Sequence, residues 1–126
     1  MTTQAHILRN KLEHFCGSQT VYKIPLFGTR FTEGVHFLAT EAKCHWLITD
    51  ASIIAHSLMA KSYFITIDFK RLKKEKQVKR GYEAKVTFSD GNENVFEIQT
   101  YESTDFPFDT FRLFFIDNTL MLTSEY

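Results

Sequence analysis

The sequence predicts an α+β domain of two layers, and three observations carry that reading. Residues 61–126 alternate apolar and polar side chains in several separate stretches, the period-of-two signature of strands. Residues 1–60 instead place apolar residues at helical spacing. A chain of 126 residues with 44% apolar and 15% aromatic content is one domain's worth of core. The expected architecture is a single domain, 1–126, mainly helical over 1–60 and mainly β over 61–126. Its second half forms an antiparallel meander of about five strands, covered on one face by two or three N-terminal helices.

Thr2 or Thr3 can cap a first helix, along which Ala5, Leu8, Leu12 and Phe15 form one apolar stripe and Gly17 offers a left-handed end. Residues 20–24 read as a short strand, stopped by Pro25, which lacks an N–H. Residues 27–32 are ambiguous. Val35, Leu38 and Ala42 return to helical spacing after Gly34. Trp46, Leu47 and Ile48 fit either one helical turn or an extended piece. Asp50 is placed to cap a helix over 51–60, with Ile53, Ile54 and Leu58 inward.

From Tyr63 the pattern changes. Tyr63, Ile65, Ile67 and Phe69 face one way, and Ala84, Val86 and Phe88 repeat the alternation. Asp90-Gly91 is a hairpin signal, because both residues tolerate positive φ. Phe96 and Ile98 are expected on one face of the return strand. Thr104 to Pro107 break the pattern before Phe111, Leu113 and Phe115 resume it. Asp117-Asn118 is a second hairpin turn, and Leu120 and Leu122 close the last strand. Short links between strands favour antiparallel neighbours, since parallel ones need long crossovers.

Composition removes several function classes. No apolar run approaches the roughly 18 residues of a membrane helix, so no membrane partner is expected. The polar start, Met1 to His6, carries no apolar signal region, and two cysteines make no disulfide framework. The expectation is a cytoplasmic protein. Net charge is zero, yet it is segregated. Residues 61–89 carry nine basic and three acidic groups, and residues 90–126 carry one basic and eight acidic.

The basic block, Lys70, Arg71, Lys73, Lys74, Lys76, Lys79 and Arg80, falls between two strands and is expected to form a hairpin loop in solvent. Such a loop can contact nucleic-acid phosphates without reading bases, or grip an acidic partner. The plainer reading of it is a solvated tip that guards a sheet edge. Leu72 and Val78 are its only apolar residues, so it brings no aromatic platform for bases. Glu97, Glu102, Asp105 and Asp109 form an acidic counterpart that suits a basic partner, or only a solvated face. Opposite charge on the two segments also permits head-to-tail homo-oligomers.

His14, Cys16, Cys44 and His45 are zinc-ligand types, but their spacing fits no common finger. Two apolar, buried cysteines with surface histidines are the preferred reading of them. A thiol nucleophile is disfavoured for Cys16 by its place near a helix C-terminus. No glycine-rich phosphate loop, dinucleotide fingerprint or Gly-x-Ser-x-Gly occurs. No cofactor and no catalytic residue is therefore assigned, and the function expected is binding.

Four strings, Thr32-Glu33-Gly34-Val35, Cys44-His45-Trp46-Leu47, Thr104-Asp105-Phe106-Pro107 and Ser124-Glu125-Tyr126, occur in an order and spacing that resembles a family of small bacterial proteins. That family is catalogued only as a domain of unknown function, with members in cyanobacteria and on phages and plasmids. The resemblance covers about residues 12–126. This chain has Thr123 where relatives carry proline, and His45-Trp46 where they carry Tyr-Trp. The resemblance implies a shared fold and a mobile-element setting, and supplies no reaction. Structural roles are expected for the strings: Trp46 anchoring a helix to the sheet, Asp105 capping a turn before Pro107, and Tyr126 packing. The leading expectation is thus an accessory protein of a phage or mobile element that binds, and inhibits or modulates, a host protein. Nucleic-acid binding through 70–80 is the alternative, and a Cys/His metalloprotein or enzyme the third.

Overall fold

The computed structural model describes residues 3–15, 20–24 and 28–126. In chain order these form α1 (Thr3–Leu12), β1 (Val21–Lys23), β2 (Arg30–Thr32), α2 (Glu33–Glu41), α3 (His45–Ser57), β3 (Phe64–Arg71), α4 (Lys74–Arg80), β4 (Ala84–Ser89), β5 (Val95–Tyr101), β6 (Thr110–Ile116) and β7 (Thr119–Leu122). A 3₁₀ turn, Thr123–Glu125, ends the chain. The fold is α+β, as the sequence predicts.

One sheet face is the core. Ile65, Ile67 and Phe69 of β3, Val86 and Phe88 of β4, Leu113 and Phe115 of β6, and Leu120 and Leu122 of β7 are all buried. They form one cluster with Ala5 and Leu12 of α1, Val35 and Leu38 of α2, and Leu47, Ile48, Ala51 and Ala55 of α3. The alternation read from the sequence therefore selects the covered face, and the three N-terminal helices are its roof.

Among the described residues the sheet has seven strands rather than five, in the order β1-β2-β7-β6-β3-β4-β5. It is also not a plain meander. β6 pairs with β3 instead of β5, so β6-β3-β4-β5 has Greek-key order. The connection of residues 102–109 makes this return, and it carries buried Phe106 and Phe108. Phe106 packs 4.6 Å from Phe69, and Phe108 stacks 5.0 Å from Phe111, ring centre to ring centre. Burying two phenylalanines off the strands, at roughly 1.5–3 kcal/mol each, favours the crossing over a simple hairpin. β2 adds a further departure, running parallel to β7 at the sheet's other side.

Local differences follow from backbone geometry. α3 starts at His45, so Asp50 lies inside that helix and does not cap one, while Ile53 points outward. The Asp117-Asn118 turn forms as expected, with φ of 50° and 58°. At Asp90-Gly91 only Gly91 has positive φ, and the loop is longer than two residues. The Asp90 carboxylate organises it, accepting from Asn92 N–H and Asn94 Nδ2. Pairing shifts register between Phe88 and Ser89. That bulge turns Phe96 toward the core, while Ile98, opposite outward-facing Thr87, stays exposed. Gly17 and Pro25 lie outside the described residues.

The C-terminus is bolted to the start of α2. Thr32 caps that helix, its Oγ1 accepting from Val35 N–H. The same hydroxyl donates to Glu125 Oε1 at 2.6 Å. Glu125 also accepts from Gly34 N–H at 3.2 Å and from Leu122 N–H at 3.0 Å. A carboxylate at a helix N-terminus is favoured by the orphan N–H groups and the dipole there. The approach is close enough to require glycine: a Cβ at position 34 would stand 2.5 Å from Glu125 Oε1 and 2.6 Å from Leu122 Cδ1. Gly34→Ala is therefore expected to destabilise the fold by at least about 2 kcal/mol. Glu125→Ala, which strands three donors, is expected to cost about 3 kcal/mol. Urea denaturation followed by circular dichroism measures both.

Candidate functional site

Two surfaces lie at one end of the sheet, where β3 ends, β4 begins and β5 ends, with Arg71 opposite Ala84 and Ala84 opposite Tyr101. The first is the basic block. It is not the hairpin loop expected. Lys70 and Arg71 belong to β3, and Lys74–Arg80 is the helix α4. Gly81, at φ 82°, ends that helix and donates to Gln77 O. Gln77 Nε2 donates to Leu72 O, tying the helix to the strand before it. No α4 residue is buried, and Val78 is 89% exposed.

The seven basic residues do not act alike. Lys70, Lys73, Lys74, Lys76, Lys79 and Arg80 are exposed, and none forms an ion pair among the described residues. Arg71 is different, with its side chain only 22% exposed. Its guanidinium donates to Phe108 O and to Asp109 Oδ1, each at 3.0 Å, and to Phe106 O. It also lies 3.8 Å from Glu83 Oε2, which accepts from Thr104 N–H. Arg71 thus holds the crossing connection to β3. It leaves the set of free contact residues, and Asp109 leaves the free acidic face with it.

The second surface is a cleft of about 510 Å³ lined by Trp46, Tyr101, Ser103, Thr104 and Asp105. Trp46, in the first turn of α3, meets Tyr101 at the end of β5 with ring centres 5.2 Å apart and planes at 66°. The two rings meet edge to face, both line the cleft, and the contact anchors α3 to the sheet as expected of Trp46. Tyr101 donates from its hydroxyl to Asp50 Oδ2 at 3.0 Å. Burial, and then the Asp50 hydrogen bond and charge, push the Tyr101 phenol well above its usual range. The turn before Pro107 is capped by Thr104, whose Oγ1 accepts from Phe106 N–H. Asp105, expected to cap it, is instead exposed on the ridge between this cleft and a second hollow bounded by Leu8, Lys11, Glu41 and Pro107.

The remaining candidates do not assemble. Glu97 and Glu102 are exposed at β5 and just beyond it. Cys16 lies outside the described residues. His14 and His45 are exposed, whereas Cys44 is fully buried and its Sγ donates to Leu38 O at 3.7 Å. Among the described residues no three of His, Cys, Asp or Glu come together as metal ligands. Burial foremost, with the Asp105 charge second, pushes the Cys44 thiol from its ordinary 9.0 to about 12. At neutral pH it is a protonated, apolar filler rather than a nucleophile. Tyr126, at 77% exposure, still packs edge-on to Phe64 and Phe114 on the outer sheet face.

Sequence reasoning did not single out the cleft. Tyr101 gave no motif. The available signals were the single tryptophan of Cys44-His45-Trp46-Leu47, Asp50 and the Thr104-Asp105-Phe106-Pro107 string, and each was read as structural.

These features define a small α+β domain in which a mixed seven-stranded sheet is roofed by three helices and carries a cationic helix beside an aromatic, acidic cleft. Within that class, the chain belongs to a family of unknown function, DUF6876, whose model matches residues 6–126. No curated protein and no solved structure matches it significantly. No helix among the described residues is long and apolar enough to cross a membrane.

Two consequences are measurable. Arg71→Met leaves several carbonyl and carboxylate acceptors without their donor and is expected to cost about 3 kcal/mol. Lys73→Gln, Lys74→Gln and Lys76→Gln should each stay within about 0.5 kcal/mol of the parent. Urea midpoints of the four variants separate the structural cation from the free ones. For Cys44, the folded and unfolded chains both hold the proton below pH 9. Between 9 and about 12 only the unfolded chain releases it, so stability falls as pH rises through that window. The drop between pH 8 and 10.5 should be smaller in Cys44→Ala than in the parent by about 1–2 kcal/mol.

Proposed function

We propose that this protein is a non-enzymatic, macromolecule-binding accessory protein of a phage or mobile element, which engages an acidic surface of a host protein through α4 and its flanks and so inhibits or modulates it. One observation carries the reading: six exposed cations surround a helix that buries none of its own residues. A helix that contributes nothing to the core, yet displays charge and an exposed valine, is free to steer and meet an acidic partner. Val78 offers a small apolar centre inside a charged rim, which a protein partner uses better than a phosphate backbone does. The mobile-element setting rests on the resemblance carried by the four strings.

Sequence-independent nucleic-acid contact through the same residues is the second reading. It is favoured by six cations that have no acidic partner among the described residues. The lack of any aromatic side chain in residues 72–81 weighs against it.

Affinity capture from host lysate, with and without nuclease, tests both. The parent is expected to retain one dominant protein that survives nuclease and elutes with rising salt. The quadruple variant K73Q/K74Q/K76Q/K79Q should lose it. Nuclease-sensitive capture supports the second reading instead. Capture that is equal for the parent and the quadruple variant removes α4 as the contact surface.

A further inference from the structure

We propose that the cleft between Trp46, Tyr101 and Asp105 is a recognition site for an organic cation, namely a guanidinium, a primary ammonium or a quaternary ammonium group. This site is separate from α4 and does not depend on the reading given for it.

The chemistry of the lining selects the ligand. Two aromatic rings meet edge to face at 66°, and both line the cleft. Ring faces carry negative potential and attract cations that have shed part of their water, Trp and Tyr more strongly than Phe. Both rings are half-buried, so part of each is screened from solvent and part remains open to a ligand. The polar groups beside them are Ser103, Thr104 and Asp105. None of these is cationic, and the one charged member is the Asp105 carboxylate. An anion would meet only repulsion there. A neutral apolar group would leave the carboxylate without a counter-charge. A cation satisfies both the ring faces and the carboxylate.

The cleft is also held in place before any ligand arrives. Tyr101 is fixed at its hydroxyl by Asp50. Trp46 sits in the turn that follows buried Cys44. Thr104 is held on its N–H by Glu83 and on its hydroxyl by Phe106 N–H. Three separate elements, α3, β5 and the crossing connection, therefore converge on a volume of about 510 Å³. The cleft is open to solvent, so a ligand is contacted on one side only, and preorganisation of this kind lowers the entropy lost on binding.

Trp46 is the only tryptophan, so its emission reports on this cleft alone. The protein is titrated at about 10 mM salt, where screening is weak. The probes are acetyl-Gly-Arg-Gly-amide and choline. Each is run against its neutral isostere: the citrulline peptide, and the alcohol in which carbon replaces the quaternary nitrogen. The expected result is a saturable change in Trp46 emission, in the millimolar range, for at least one cation and for neither isostere. Asp105→Asn, an exposed position, should weaken that binding about fivefold without moving the urea midpoint. Tighter binding of the arginine peptide identifies a partner's side chain as the source of the cation, and tighter binding of choline identifies a free quaternary ammonium compound. The inference is overturned by no saturable change with either cation, by an equal response to the isosteres, or by unaltered affinity in Asp105→Asn. None of these outcomes bears on capture through α4.

Discussion

The fold turns on one buried carboxylate. Glu125 is the penultimate residue, only 9% exposed, and it gathers three donors from two distant stretches of chain. Thr32 and Gly34 bring in the end of β2 and the start of α2, and Leu122 brings in the end of β7. Those are the elements around the parallel β2–β7 pair, which spans only two residue pairs, Arg30 with Thr119 and Phe31 with Leu120. So short a ladder is weak alone, since a pair of short strands is marginal in water. The carboxylate holds the strand ends in register, while Arg30 N–H and its guanidinium, donating to Asn118 O and Asp117 O, do the same at the hairpin. The helical roof is therefore closed by the last residues of the chain. In this chain Thr32-Glu33-Gly34-Val35 and Ser124-Glu125-Tyr126 are complementary in physical terms: the first offers donors at a helix start and the second a carboxylate to accept from them.

A second clamp works at the opposite end of the strand order in sequence. Arg71 binds the carbonyls of Phe106 and Phe108 and the Asp109 carboxylate, and it approaches Glu83. Without it the crossing from β5 to β6 would present backbone oxygens at a half-buried position with no donor. Phe106 and Phe108 supply the apolar part of that closure and Arg71 the polar part. Arg9 covers the Phe108 ring from α1, its guanidinium carbon 4.6 Å from the ring centre, and donates to Thr110 O at 2.7 Å. The Greek-key order is thus a packing result, set by Phe106 and Phe108, which belong to no strand, and by Arg71 at the end of β3.

How much of this was legible follows the range of the interactions. The apolar face of β3, β4, β6 and β7 was readable, because alternation is local and one face had to be covered. The three helices were readable for the same reason. The pairing of β6 with β3 was not, since Val95 to Tyr101 and Phe111 to Phe115 look like hairpin neighbours until Phe106 and Phe108 are placed. β2 escaped because three residues show no period, and its partner lies near the far end of the chain. α4 escaped because it has no apolar stripe at all. Its helical state comes from capping at Gly81 and the Gln77–Leu72 contact. In the sites, Arg71 was indistinguishable from the lysines around it by composition, and only the carbonyls of a distant segment set it apart. Trp46, Tyr101 and Asp105 are likewise separated along the chain and meet only through the fold.

The two surfaces at that end of the sheet relate to the core in opposite ways. α4 buries no side chain, so its charges answer to solvent and to whatever meets them, and stability sets almost no limit on their identity. The cleft is made from core elements: Trp46 leads into the buried face of α3, Tyr101 ends a strand, and Thr104 and Asp105 stand two residues or fewer from buried Phe106. Its geometry is a by-product of closing the crossing connection, with Tyr101 and Thr104 fixed by hydrogen bonds to Asp50 and Glu83. A surface that can change freely is suited to following one partner as that partner changes. A cleft whose two rings are tied to core elements is suited to a small group of fixed shape and charge. That difference in mechanical coupling, more than the difference in sign, makes the two surfaces separable.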